Sequence, residues 1–355
     1  MNCGDRGDRL ARVLSAGALG LFLSACGGGG SSGGVKYTTL DYPLVEADGS
    51  TLLTGVRAVD ASSDVYISGF YQPPDMGDQI GLIYEGSLSG DGLWHELVAP
   101  SIPGATVTDT ALYGPDDTGD GAITVVGSYN TQENGAYPIG LLYQGPLDGS
   151  GTWRPLTPPG SQATIAHSTM GGFVVGNYDT DRIAVPAKAF IYDIARDTYY
   201  DLVKDGAVSI TAYGIWSNGG SSYTITGGAT QDGVLAGYLV DWDAVTHAPS
   251  NWTAYRFNNQ TFPSTLLTHF EGITSDGSGG YDLAFDAATA ADAIRVGLAH
   301  VPRTSSGGFG TASWKTISYP DSTVTSANTV IDKTIIGVYQ PASGGGKSGY
   351  VASLP

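Results

Sequence analysis

Six polar residues, spaced about fifty residues apart, are the best candidates for a binding site in this sequence. They occupy one equivalent position in six similar segments. They are Arg57, Thr110, His167, Tyr213, Glu271 and Asn328. The residue two places further on is mostly apolar, as in a strand with one polar face. Different polar groups arranged on a repeated scaffold are typical of a specific ligand site.

Three members of this set could also take part in catalysis. Glu271 could act as a general base and Arg57 could hold an anion or an oxyanion, with His167 as a further working group. A single carboxylate is one fewer than the pair that glycosidases use. Glu271 and Asn328 supply only the beginning of a calcium ligand set. We therefore predict no catalytic residue, no metal site and no cofactor.

Trp216 is the aromatic residue that we most expect at a site. Most of the other tryptophans recur at one place in the repeat, which indicates packing, whereas Trp216 lies in an inner strand near Tyr213. An exposed ring of this kind could stack on a sugar or anchor a protein partner. The acidic run at 116–121 matches part of a calcium loop, but Gly127 stands where a bidentate Glu is required, so we interpret the run as a turn.

The candidate residues belong to six repeats of similar length. Each repeat has a short β-rich run centred on one position, occupied by Gly69, Gly127, Gly176, Gly227, Phe285 and Gly337. Two further apolar runs follow, and a leading run brings the total to four strands, the size of one propeller blade. The sixth repeat lacks its last run, and Tyr37–Leu40 near the N-terminus supplies it. We predict an all-β fold over residues 35–355: a six-bladed β-propeller closed by an N-terminal strand that completes the last blade.

Several of these runs resemble the extracellular repeat proteins named for an HAF motif. The likeness is carried by VVGNY (174–178), KAFIY (188–192), YTTLDYP (37–43) and SIPGATVTDTA (101–111), with Lys188 in place of the His of the motif. The resemblance implies an extracellular repeat architecture. It implies little about activity, because that family is defined by its pattern.

The first 34 residues have the features of an export and anchoring segment. Three arginines precede a short apolar run, which predicts a signal peptide over residues 1–25. The run ends in Leu-Ser-Ala-Cys and resembles the lipobox of bacterial lipoproteins, which implies acylation of Cys26 and a lipid anchor with a Gly/Ser tether over residues 26–34. Gly27, where an Asp would direct retention at the inner membrane, implies the outer membrane.

The composition excludes one class of partner. The formal net charge of −18 repels nucleic acid. We expect a monomeric domain, held to the lipid bilayer through acylated Cys26, that acts as a non-enzymatic binding or scaffolding module for a protein, a glycan or a small ligand. The alternative is a propeller hydrolase or lyase acting on a glycan or lactone. A structural envelope protein without a ligand is a third possibility.

Overall fold

The structure is a computed structural model that describes residues 34–46, 48–60, 62–74, 77–100, 105–135, 137–181, 187–290 and 294–355. The predicted signal peptide (1–25), Cys26 and the tether up to residue 33 lie outside the described residues. In the described part the regular structure is β, apart from one 3₁₀ turn at Phe257–Asn259. That part contains no helix with the length and apolar character needed to cross a bilayer.

The strands form six units, numbered here in chain order, and in the first three the strands pair antiparallel in sequence order. Unit 1 consists of β2 (Ser50–Ala58), β3 (Val65–Gln72), β4 (Ile80–Gly86) and β5 (Leu93–Glu96). Unit 2 consists of β6 (Val107–Asp117), β7 (Ile123–Thr131), β8 (Ile139–Gly145) and β9 (Thr152–Leu156). Unit 3 consists of β10 (Ala163–Met170), β11 (Phe173–Asp179), β12 (Lys188–Asp193) and β13 (Thr198–Leu202).

Units 4 and 5 share one sheet, because Leu235 and Leu267 form a parallel pair between them. In unit 4 the inner strand is divided in two. Unit 4 consists of β14 (Ala207–Ile210), β15 (Gly214–Gly219), β16 (Ser222–Gln231), β17 (Val234–Asp243) and β18 (Ala248–Tyr255). Unit 5 consists of β19 (Thr265–Ser275), β20 (Tyr281–Thr289), β21 (Ile294–Val301) and β22 (Ser313–Ile317).

Unit 6 combines the two ends of the described chain. Its strands are β23 (Ser322–Thr325), β24 (Thr329–Ile331), β25 (Thr334–Pro341), β26 (Ser348–Ser353) and β1 (Lys36–Thr39). Tyr37 lies opposite Ala352 and Thr39 lies opposite Tyr350 in an antiparallel register. The N-terminal strand therefore occupies the fourth place of the last unit, as the missing run in the sixth repeat predicts.

The hydrophobic core consists of layers between neighbouring units. Along β7, Val125 packs against unit 1 and the next residue, Val126, packs against unit 3. Further layers join units 3 and 4, 4 and 5, and 5 and 6. Another layer joins unit 1, through Leu53 and Ile67, to Ile336 of unit 6. Both faces of each unit are therefore apolar, because each is covered by a neighbouring unit.

A β-bulge interrupts the inner strand of the units near its middle. In units 1, 2, 3 and 5 the register shifts there by one residue. In units 4 and 6 the inner strand is broken at the corresponding place. The bulge presses a backbone carbonyl against the second strand: a Cβ added at Gly127 would lie 2.1 Å from the carbonyl oxygen of Ala111. The central glycine of the repeat is therefore needed because a larger side chain would overlap the bulged inner strand of the same unit.

We expect Gly127→Ala to lower the free energy of unfolding by about 1–3 kcal/mol, because the added methyl group overlaps the Ala111 carbonyl in a packed core. Chemical denaturation of the purified protein measures this difference. Gly308→Ala is the matched control, because its added Cβ would lie 3.5 Å from the nearest atom, the Thr304 hydroxyl oxygen. Equal effects of the two substitutions would contradict the role of the bulge.

Candidate functional site

The bulges place one side chain from each unit in a common position on the inner strands. We call this set the bulge row. Its members are Thr54, Tyr113, His167, Tyr213, Glu271 and Asn328. A bulged residue is left out of the regular pairing and can be turned away from the pleat. The row is therefore the part of the fold where six different side chains can meet.

The structure corrects the sequence alignment at two of these six positions. Thr110 lies three residues before the bulge residue Tyr113, and it is fully buried with its hydroxyl oxygen accepting a hydrogen bond from the Ala99 N–H at 3.0 Å. Arg57 lies three residues after the bulge residue Thr54. At both positions the residue chosen from the sequence lies three places from the bulge, because the apolar pattern alone does not show where the bulge falls.

Aromatic rings connect three consecutive members of the bulge row. The ring of His167 lies edge to face with that of Tyr113, with centroids 5.2 Å apart, and stacks on that of Tyr213 at 3.7 Å. On its other side Tyr213 meets the edge of His269 at 4.5 Å. Units 2, 3, 4 and 5 thus contact one another through these four rings.

Hydrogen bonds connect the remaining members to their neighbours. The Thr54 hydroxyl donates to the carbonyl oxygen of Leu112, at 2.6 Å. The carboxamide of Asn328 donates to the carbonyl oxygen of Leu53, at 2.5 Å. Unit 1 is therefore linked to unit 2 on one side and to unit 6 on the other.

His167 is held as a neutral ring. It is buried, and its Nε2 lies 2.7 Å from Oδ1 of Asn177. Burial lowers its pKa to about 3, the hydrogen bond to Asn177 opposes this change, and the nearby His269 acts in the same direction as burial. At neutral pH His167 therefore serves as a stacking surface and a hydrogen-bonding group, and it carries no positive charge.

A histidine and two carboxyl groups lie beside Tyr213. Nδ1 of His269 is 2.8 Å from Oε1 of Glu271, and Nε2 of the same ring is 2.8 Å from the hydroxyl of Thr211. Asp286 lies directly opposite His269 on the neighbouring strand. Burial raises the pKa of Asp286 well above its ordinary value, and the negative charge of Glu271 raises it further.

Asp179 is a further buried carboxyl group near the row. It is 9% exposed, and its Oδ1 has no hydrogen-bond partner among the described residues. Burial raises its pKa to about 6. Burial also raises the pKa of Tyr213 well above its ordinary value, with smaller contributions from the charges of Glu271, Asp179 and Asp286. No Lys or Arg of the described residues forms an ion pair with these three carboxyl groups.

Arg57 and Trp216 come together one layer further along the inner strands. The guanidinium of Arg57 donates to the carbonyl oxygen of Thr169 at 3.0 Å and lies 3.5 Å from the carboxylate of Asp116. Its central carbon lies 5.5 Å from the centre of the Trp216 ring. One side chain of unit 1 thus reaches units 2, 3 and 4. Such contacts are possible only where the inner strands converge.

The sequence analysis missed several residues that the structure places near the row. Thr54 and Tyr113 are bulge residues, while His269, Asp179 and Asp286 lie outside the aligned column. For the two bulge residues a marker was present: each is followed by a glycine, as are Tyr213 and Glu271. Within the described chain, no group of three or more His, Cys, Asp or Glu side chains is arranged to hold a metal ion.

Comparison with known proteins yields remote structural similarities. No family model matches the sequence, and the comparison with curated proteins yields no match. A thermostable family-43 glycoside hydrolase is 11% identical, with a TM-score of 0.46 over 79% of this chain and 98% of that one. A GH43_1 enzyme from Xanthomonas citri, complexed with xylotriose, is 9% identical, with a TM-score of 0.40 over 78% of this chain and 92% of that one. YCF48 bound to D1 peptide is 13% identical, with a TM-score of 0.40 over 95% of this chain and all of that one.

We expect Asp179→Asn to stabilise the protein at pH 7.5 relative to the wild type. The folded pKa of about 6 exceeds the ordinary value of 3.8, so the folded state holds the proton more tightly, and stability falls as the pH rises from about 4 to about 6. The Asn side chain of the variant cannot ionise, so the variant does not lose stability over this pH range. Chemical denaturation measures the free energy of unfolding of the two proteins. The advantage of the variant should be on the order of 1–3 kcal/mol larger at pH 7.5 than at pH 4.5.

Asp243→Asn provides a control of opposite sign. Hydrogen bonds from the Ser221 hydroxyl and from Thr246 lower the pKa of Asp243 to about 2, so its contribution to stability is present at neutral pH and is lost in acid. This substitution should destabilise the protein at pH 7.5. If both variants shift stability in the same direction, burial of Asp179 does not have the assigned effect.

Proposed function

We propose that the six units form a closed six-bladed β-propeller. Two observations support this arrangement. The apolar layers include one between units 1 and 6, and β1 completes the sheet of unit 6. The contacts of Arg57 with three other units are what a narrow central axis would produce. In such a ring the bulge row surrounds the axis.

The proposed activity is non-enzymatic binding of a small ligand at this axis. The observation that carries it is the bulge row itself: six side chains able to form hydrogen bonds, one from each unit, at the same place on the inner strands. The carboxyl groups near Tyr213, which form no ion pair with a Lys or Arg of the described residues, favour a neutral or positively charged ligand over an anion, because an anion would be repelled.

The predicted export signal defines the setting of this binding module. We propose that residues 1–25 are removed, that Cys26 is acylated, and that the single domain of residues 35–355 is displayed as a monomer at the bacterial outer membrane. The HAF-type resemblance supports a location outside the cytoplasm. The short stretch of sequence between Cys26 and β1, which begins at Lys36, would keep unit 6 close to the bilayer.

The alternative of a hydrolase or lyase receives less support from the geometry. Its proposed groups were Glu271, His167 and Arg57. Burial holds His167 neutral, and Arg57 is bound by Thr169 and Asp116 at a separate layer of the inner strands. The described contacts include none between Arg57 and Glu271. The binding function requires only that the row be accessible and polar.

We expect a ligand of the axial site to raise the thermal stability of the purified protein. A panel of neutral sugars, amines, carboxylates and divalent metals would be screened against the wild type and Glu271→Gln. A ligand present at a hundred times its dissociation constant should stabilise the folded state by about 2.7 kcal/mol. The stabilisation should be smaller in the variant, and anions should have little effect.

The control for this screen is Glu133→Gln, which changes an exposed carboxylate just after β7, outside the row. It should respond to each ligand as the wild type does. A ligand that stabilises all three proteins equally binds elsewhere. If no compound of the panel produces a selective shift, the axial binding function is refuted for these classes and protein partners become the next target.

The lipid anchor has a separate test. Cells expressing the protein would be labelled with radioactive palmitate, and we expect the label in the wild type and not in Cys26→Ser. Cys3→Ser, in the predicted signal peptide, should be labelled as the wild type is. Palmitate label on Cys26→Ser would contradict the proposed anchor.

A further inference from the structure

A pocket lies between units 4 and 5, separate from the carboxyl groups beside Tyr213. Its volume is about 540 Å³, within the range of pockets that hold small molecules. Trp216 and Asn218 at the end of β15 line one side, and Tyr281 at the start of β20 lines the other. No sequence pattern predicted this pocket, although Trp216 was singled out as an aromatic residue expected at a site.

A paired arginine and aspartate form part of the wall. The two terminal nitrogens of Arg303 donate to the two carboxylate oxygens of Asp241, at 2.7 and 2.5 Å. The same guanidinium donates to the Tyr281 hydroxyl at 2.8 Å and to the Thr224 hydroxyl at 3.0 Å. Bidentate pairs of this kind are strong and geometrically fixed. The two charges therefore cancel within the wall, and a charged ligand would find no unpaired opposite charge there.

Aromatic surface and hydroxyl groups make up much of the remaining lining. The half-buried Trp216 side chain provides flat apolar surface, and Ser222 and Ser275 provide hydroxyl groups, whereas the Tyr281 ring is buried beneath the Arg303 guanidinium. The Ser275 hydroxyl oxygen accepts a hydrogen bond from the Gly277 N–H at 3.1 Å, and a hydroxyl that accepts one bond still has its own proton to donate. The pocket thus combines apolar faces with uncharged hydrogen-bonding groups.

Two exposed glycines keep the mouth of the pocket open. Gly279 and Gly307 belong to the lining, and a Cβ added at either would meet no atom within 4 Å. The mouth can therefore admit a ligand that extends beyond the pocket, such as one unit of a chain.

We propose that this pocket binds a neutral sugar unit of a glycan. The ring of a sugar has an apolar face that can pack on an aromatic side chain, and its hydroxyl groups can both donate and accept hydrogen bonds. These properties match the Trp216 ring on one hand and Asn218 and the serines on the other. The internal pairing of Arg303 with Asp241 selects against acidic and basic sugars, because either would bring an uncompensated charge to the wall.

The test uses the full-length purified protein and three neutral trisaccharides: maltotriose, cellotriose and N-acetylated chitotriose. Isothermal titration and tryptophan fluorescence would be measured for each, with tri-galacturonic acid and deacetylated chitotriose as the charged comparators. We expect at least one neutral trisaccharide to bind and to change the fluorescence, and the charged pair to bind more weakly. Failure of all three neutral sugars to bind would overturn the proposal.

Substitutions at Trp216 locate the binding. Trp216→Ala should weaken the affinity about tenfold through loss of the stacking surface, whereas Trp216→Phe should retain part of it and lose the fluorescence change. Trp252→Phe is the matched control, because that ring packs against the core between units 3 and 4 and is not part of the lining. It should leave the affinity and the fluorescence change as in the wild type.

Two outcomes would refute this location. If Trp216→Phe keeps the full fluorescence change, or if the control abolishes it, the sugar binds elsewhere. Thermal melting of each variant confirms folding, and Asn218→Ala replaces Trp216→Ala should the latter not fold, with the same expected weakening. Equal affinity for neutral and charged trisaccharides would refute selection by the Arg303–Asp241 pair.

Discussion

The bulge in the inner strands is the constraint on which the rest of the structure depends. One extra residue pushes a backbone carbonyl into the sheet, and in the five units with a central glycine the facing position on the second strand has room only for a hydrogen atom. Unit 5 differs, because Phe285 fills this position opposite Phe270 although its inner strand is also bulged. The same bulge turns one side chain per unit out of the pleat, so packing and the candidate site have a common local cause.

The repeat, the strand order and the completion of unit 6 by β1 could be predicted because they leave regular marks in the sequence. The runs centred on glycine mark the second strand of each unit. The sixth repeat lacks its last run after Tyr350, and this marks the place that the strand containing Tyr37 fills. The row was harder to predict, because the apolar pattern of the inner strands does not show where the bulge falls. His167, Tyr213, Glu271 and Asn328 were aligned correctly, whereas Arg57 and Thr110 were each displaced by three residues.

The polar groups of the inner strands separate into two layers of different charge. Near the bulge row, Asp179 and Asp286 are buried and form no ion pair with a basic side chain of the described residues, and their raised pKa values express the cost of that burial. One layer along, Arg57 is buried against carbonyl oxygens and Asp116. Desolvation lowers the pKa of Arg57 while Asp116 opposes that change. Sequence alone could not separate these layers, since their members come from distant repeats.

The pairing state of the charged groups distinguishes the two candidate sites. Burial of a charge is costly unless a partner compensates it, so unpaired carboxyl groups favour the protonated form or a ligand of opposite charge. Asp241 needs neither, because Arg303 binds both of its carboxylate oxygens. The pocket that contains the Arg303–Asp241 pair can select a ligand by its shape and its hydroxyl groups. The region beside Tyr213 instead distinguishes ligands by their charge. The two sites are therefore suited to different ligands, even though both depend on the inner strands of units 4 and 5.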